Sequence, residues 1–187
     1  WGGLLGGWLD DGIVGAGVVV VDPAFAGGEH PFRSRSEVTV YASADDLPDT
    51  LQPEVVVFAV KPQLIPETLP AYVRFVTAKT VFLSIAAGTE IAYFERHFGQ
   101  DAAIIRAMPN LPASIRLGIS VICPSCCVTS GQLDTCSTLF NAVGEVCVID
   151  DEGLLDAVTA VSGSGPAYVF LLIECFIKPV EAAGLPT

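Results

Sequence analysis

Basic residues are scarce in this chain: nine lysines and arginines face 21 acids across 187 residues, a formal charge of −12. A surface so acidic repels nucleic acid and anionic membrane faces, so neither is an expected partner. Apolar runs of the roughly eighteen residues that span a bilayer are also missing. The longest candidate, Ala167 to Ile177, is short and carries Glu174, although 51% of the residues are hydrophobic. It reads as a helix buried between subunits or layers. No secretory leader is seen ahead of it, and a soluble cytoplasmic protein is the expectation. Histidine is limited to His30 and His97, far apart in sequence. With them go any Ser-His-Asp set and any zinc site built on Cys123-Pro-Ser-Cys126-Cys127, which lacks a second pair at ligand spacing. Paired carboxylates at a useful spacing are absent too. No metal is expected, and no catalytic side chain can be named.

What is present is alternation. Apolar, β-branched runs at Val18–Val21, Val38–Tyr41, Val55–Val60, Val81–Ile85, Ala103–Ala107, Ile119–Ile122 and Val146–Ile149 read as strands. Several are continuous, as strands covered on both faces are. Between them Leu4–Asp10, Ala44–Leu51, Gln63–Val76, Glu90–Phe98 and Ser130–Val143 read as helices. Strand alternating with helix predicts an α/β fold with a doubly wound parallel sheet, Rossmann-like, over residues 1–150. After Ile149 the strands stop. Helices over Asp151–Val161 and Ala167–Ala183 then predict a second, all-α unit starting at residue 151 and running to 187. There is no internal repeat, low-complexity segment or long linker. Cys147 in a strand and Cys175 in the apolar helix read as small buried hydrophobes, with all six thiols reduced.

Ligands of such sheets bind beyond the carboxyl ends of the strands. Asp22 ends the strand expected at Val18–Val21, where a carboxylate suits the 2′-hydroxyl of NAD, while Arg33 and Arg35 follow and suit the 2′-phosphate of NADP. Capping of the turn at Pro23 explains Asp22 equally. Lys61 leaves the strand ending at Ala59-Val60 and precedes Pro62; it is either a ligand-facing cation or a solvated one. Ala86-Ala87-Gly88 lets a ribose lie on backbone or simply turns the chain. Met108-Pro109-Asn110-Leu111-Pro112 reads as a loop leaving a strand. Ser162-Gly163-Ser164-Gly165-Pro166 reads as a helix start with Ser164 as N-cap, and as either an interhelical turn or a ligand contact. Glu152 lies at the junction of the two units, or serves only as a first-turn acid. Gly15-Ala16-Gly17 precedes a strand and is therefore a turn, not a phosphate loop.

Five segments in order, Ala59-Val60-Lys61-Pro62-Gln63, Ser84 to Thr89, Arg106 to Pro112, Leu155 to Ala160 and Val161 to Phe170, resemble signature segments of the pyrroline-5-carboxylate reductase family. The resemblance implies hydride transfer from NADPH, or NADH, to the C=N bond of 1-pyrroline-5-carboxylate, giving L-proline, in a homodimer or larger homo-oligomer. It implies cofactor contacts from Asp22, Ala59, Val60, Lys61, Pro62, Ala86, Ala87, Gly88, Met108, Pro109 and Asn110, and substrate contacts from Glu152, Ser162, Gly163 and Ser164. Aligned on the family, Trp1 falls near the end of the phosphate loop, and nothing before Thr187 resembles the family's Ser-Pro-Gly-Gly-Thr-Thr segment. Two departures stand out: no asparagine occurs in Ala42 to Asp46, and Pro179 interrupts the long helix. Alternatives are a non-catalytic dinucleotide-binding or dimerising fragment, a related imine reductase, or a β-hydroxyacid dehydrogenase, for which Lys178 lies too late on the helix.

Overall fold

Valine-rich runs with period-two burial build the sheet of the computed structural model, which describes residues 2–15, 17–25, 32 and 34–184. Trp1, Ala16, His30, Arg33 and Thr187 lie outside the described residues. The strands are β1 (Val18–Val21), β2 (Val38–Tyr41), β3 (Val55–Phe58), β4 (Val81–Ser84), β5 (Ala103–Pro109), β6 (Gly118–Pro124) and β7 (Gly144–Val148). The helices are α1 (Gly2–Asp10), α2 (Ile65–Thr68), α3 (Ile91–Phe98), α4 (Ser130–Asn141), α5 (Leu154–Val158) and α6 (Gly165–Ala182).

Alternation sends successive side chains to opposite layers. Phe82 and Ile104 join Ile65, Leu69, Phe94, Phe98 and Leu155 on one face. Val81, Leu83, Ala103 and Ile105 join Leu5, Trp8, Leu139 and Phe140 on the other. Each such buried side chain contributes about 1.5–3 kcal/mol. Helices therefore cover both faces, as a doubly wound fold requires, and the α/β expectation holds. Trp8 Nε1 donates to the Leu139 carbonyl at 2.7 Å, tying α1 to α4.

Two features depart from one parallel sheet. β6 runs antiparallel to β5, while β3–β4, β4–β5 and β6–β7 are parallel. The strands also fall into two sheets, β1-β2 and β3-β4-β5-β6-β7. Val18 and Val20 of β1 nevertheless pack with Val55 and Val57 of β3 against one core.

Several expected helices are shorter. Over 44–51 only a 3-10 turn, Ala44–Asp46, forms, capped by Ser43 Oγ from Asp45 N–H, because Pro48 cannot supply the next helical donor. Gln63–Val76 breaks into α2 flanked by 3-10 turns, Pro62–Leu64 and Leu69–Phe75; Pro66 and Pro70 remove donors there. β5 continues through Pro109, which pairs with Ser120, so the loop starts only at Asn110. Cys147 and Cys175 are exposed, not buried: Cys147 faces out from the last strand of the sheet, and no described element covers Cys175.

The two expected C-terminal helices are one. α5 passes into α6 through a π turn, Thr159–Gly163. Ser164 is not an N-cap; its N–H and Oγ both donate back to the Thr159 carbonyl, at 2.9 and 3.1 Å. Pro166 sits in the first turn of α6, just past the π turn, and α6 runs on past Pro179 to Ala182. Joined in this way, Leu154–Val180 is long and apolar enough to cross a membrane by length and composition, with a mean hydropathy of 1.5 over its best window. The shorter span expected from the sequence is thereby corrected.

Candidate functional site

Because β3, β4 and β5 are parallel neighbours, the segments leaving them emerge along one edge. Lys61 follows β3, exposed and without an ion-pair partner among the described residues, and its carbonyl accepts from Leu64 N–H to start a turn at Pro62. Ala59 and Val60 are half-buried beneath it. After β4, Ala86 is buried and its N–H donates to Ser84 Oγ at 3.2 Å. Ala87 and Gly88 are exposed, and Gly88 adopts φ +72, where an added Cβ would meet nothing within 4 Å. A glycine is needed there for its left-handed backbone, and it leaves the surface open.

Asn110 leaves β5 with both ends of its amide engaged. Its Oδ1 accepts from Ile119 N–H at 3.0 Å and its Nδ2 donates to Ser162 Oγ at 3.2 Å. The first bond fixes which end of the amide faces Ser162. Beside it a Cβ on Gly163 would stand 2.3 Å from Met108 Cε, so the close approach at this glycine is to a side chain, not to another backbone. Sheet edge and helical segment thus meet at Met108, Asn110, Ser162 and Gly163. Ser164 is turned to its own helix.

Glu152 stands at the junction of the sheet and the helical segment. Its Oε1 accepts from Ile91 N–H at 2.8 Å, capping α3, and from Arg106 Nη1 at 2.9 Å. Asp156 takes the other arm of Arg106 at 3.4 Å. Sequence reading passed over Arg106, although a lone charge in the apolar run Ala103–Ala107 is itself the signal: buried arginine must be paired. Cys123, paired with Arg106 across the strands, has its thiol pKa pushed up by burial and then by the Glu152 carboxylate.

Asp22 Oδ1 accepts from Ala24 N–H at 3.0 Å, forming the turn at Pro23. Arg35 is engaged by Asp10. Asp22 belongs to the β1-β2 sheet, and among the described residues no bond joins it to the edge at Lys61. That edge offers an unpaired cation, small residues, open backbone and a fixed amide, a set that fits a dinucleotide's phosphate, ribose and carboxamide groups without a charge beside the reacting ring.

Residues 152–187 match the family model described as pyrroline-5-carboxylate reductase dimerisation, the same stretch whose helix is apolar on all sides. The chain is 35% identical over 182 residues to the pyrroline-5-carboxylate reductase of Pseudomonas aeruginosa, covering 97% of itself and 66% of that protein. It is 45% identical over 109 residues to that of Mycobacterium tuberculosis, covering 58% of itself and 37% of the relative. It thus spans about two thirds or less of these relatives. A pyrroline-5-carboxylate reductase structure from Coxiella burnetii superposes with a TM-score of 0.82 at 27% identity, over 98% of this chain and 67% of that one. One from Plasmodium falciparum with NADP bound gives 0.72 at 29% identity, over 84% and 58%.

Proposed function

The chain belongs to the pyrroline-5-carboxylate reductase family, and from that premise we propose that it serves the NADPH-dependent reduction of 1-pyrroline-5-carboxylate to L-proline, with NADH as an alternative donor. Residues 1–150 form the dinucleotide-binding unit and 151–187 begin the helical unit that makes a homodimer or larger assembly, in the cytoplasm. The observation that carries this reading is the bond from Asn110 to Ser162, which joins the carboxyl edge of the sheet to the start of the dimerisation segment.

The cofactor supplies the hydride, and the chain's share is positioning. Lys61 pairs with cofactor phosphate, with Pro62 fixing the turn that presents it. Ala59 and Val60 floor the site. Ala86, Ala87 and Gly88 let the ribose lie on backbone, while Met108, Pro109 and Asn110 flank the nicotinamide. Asp22 keeps one carboxylate oxygen outside its turn bond for the adenine ribose. Ser162, Gly163 and Ser164 border the substrate, and Glu152 holds that border to the sheet through Arg106.

Following NADPH absorbance with 1-pyrroline-5-carboxylate tests the reading, on the chain alone and on a chimera carrying it within the flanking segments of the Pseudomonas aeruginosa relative. Turnover is expected in the chimera and little or none in the chain alone. The break between β1 and β3 favours a binding-only second reading. A chimera that binds NADPH without turnover would decide for it; robust turnover by the chain alone would mean that the site is misplaced.

A further inference from the structure

Cys126 and Cys127 serve nothing in the site above, and they do not sit near it. β6 is antiparallel to β5, so the turn leaving β6 lies where β5 begins, at the opposite edge from Asn110. Ser125 N–H donates to the Ile104 carbonyl at 2.8 Å, and Ser125 Oγ accepts from Ile104 N–H at 3.2 Å. Val128 N–H closes onto the Ser125 carbonyl at 3.2 Å. Cys126 and Cys127 are therefore the two central residues of a β-turn pinned to the sheet on one side and, through the capping box of Thr129 and Gln132, to α4 on the other. In a strand, neighbouring side chains diverge. In this turn they converge: the two Sγ atoms are 3.8 Å apart, Cys127 Sγ donates to the Gln100 carbonyl at 3.2 Å, and Cys126 is exposed.

That separation selects a ligand. A disulfide would have to draw the sulfurs together to about 2.0 Å against a turn bonded at both ends. Two bonds of about 2.3 Å from sulfur to one trivalent, pyramidal atom instead span roughly 3.5 Å, so one bridging thiophilic atom fits with the sulfurs drawn only a few tenths of an ångström closer. Zinc takes four protein ligands in a closed site; among the described residues no third His, Cys, Asp or Glu completes such a set. The bridging atom must therefore bring its remaining substituent with it.

We propose that the Cys126–Cys127 turn is a two-thiol capture site for trivalent metalloids carrying one carbon substituent, of which phenylarsine oxide is the probe. Two S–H bonds and the As=O bond break and two As–S bonds form; both protons leave with the oxygen as water, and arsenic stays trivalent. The inference is independent of the proposed function.

The reduced chain is mixed with one equivalent of phenylarsine oxide and an excess of 2-mercaptoethanol, and its intact mass is measured. One adduct per chain is expected, stable to the monothiol and removed by ethanedithiol. Peptide mapping of the wild-type adduct is expected to place it on Ser125–Val128, a readout that needs no variant. Cys126→Ser and Cys127→Ser should each weaken capture roughly 100-fold or more, the loss of an intramolecular second bond, while Cys147→Ser and Cys175→Ser leave it unchanged. The absence of an adduct, its location on Cys147 or Cys175, or its retention in either single serine variant at wild-type affinity would overturn the proposal.

Discussion

Arg106 and Glu152 form the hinge pin between the sheet and the helical segment: the guanidinium is 5% exposed, and the carboxylate that meets it at 2.9 Å is 27% exposed. The pair is unequal. Removing Arg106 leaves a carboxylate that still caps Ile91 and reaches water, whereas removing Glu152 strands a buried cation with only Asp156, 82% exposed, to answer it.

Glu152→Ala is therefore expected to destabilise the chain more than Arg106→Met, by about 2–4 kcal/mol against roughly 1–2, below the full range for buried pairs because one partner is part-solvated. Glu152→Gln, which keeps an acceptor for Ile91 N–H, should fall between them. Urea unfolding of the three variants measures this. Arg106→Met as the costliest would assign the stabilisation to packing of the arginine, not to the pair.

Glycines give a second contrast. At Gly144, with φ +152, an added Cβ would lie 2.0 Å from the Gly118 carbonyl oxygen; at Gly163 its one close approach would be to the flexible end of Met108, with Thr159 Cγ2 at ordinary contact distance. Gly144→Ala should cost several kcal/mol, on the order of 3, through strain and backbone clash. Gly163→Ala should cost less than about 1 kcal/mol but displace Met108 from the proposed nicotinamide side. Unfolding midpoints separate the two, and cofactor affinity in the chimera should fall only for Gly163→Ala among folded variants.

Much of this architecture was legible. The seven strands announce themselves because runs such as Val81–Ser84 must be apolar on both faces to lie between two helical layers. The joined helix was not legible, because Ser162 to Pro166 has the composition of a turn; only the return of Ser164 to the Thr159 carbonyl reveals a π turn that keeps the helix going. At the site, Lys61 and Asn110 could be placed at strand ends from sequence. The role of Glu152 could not, since its partners Ile91 and Arg106 lie 61 and 46 residues away, and only the fold brings them together.

Alkaline pH should weaken the fold in a defined window. Burial pushes the Cys136 thiol from its ordinary value of 9.0 up to about 12. Between those values the unfolded chain loses a proton that the folded chain keeps, so stability is whole below pH 9 and falls toward pH 12, by at most about 1.4 kcal/mol per pH unit from this group. Urea midpoints should decline through that range, and Cys136→Ala, though less stable at pH 7, should flatten the slope. An equal slope in the variant would assign the decline to other groups.

Lys61→Ala in the chimera should weaken NADPH binding by about 1.5–3 kcal/mol, the worth of one charge-assisted bond, with a smaller change in the rate of the chemical step. Titration of NADPH fluorescence measures it, and unchanged affinity would return Lys61 to solvent.

The helix from Tyr168 onward sets the last expectation. Tyr168, Val169, Phe170, Leu171, Leu172 and Ile173 are consecutive and each 47–61% exposed, so they point in every direction around α6 and no single described layer covers them. A helix apolar all round belongs inside an assembly or a membrane. Glu174 and Lys178, paired at 3.9 Å one turn apart, and the dimerisation match over the same residues favour copies of the chain as the cover. The chain should self-associate at micromolar concentration, and Phe170→Glu with Leu172→Glu should disperse it, because two carboxylates cannot be buried unpaired at such a contact. Sedimentation decides the point: a wild-type monomer, or a charged variant that sediments like wild type, would remove α6 from the interface.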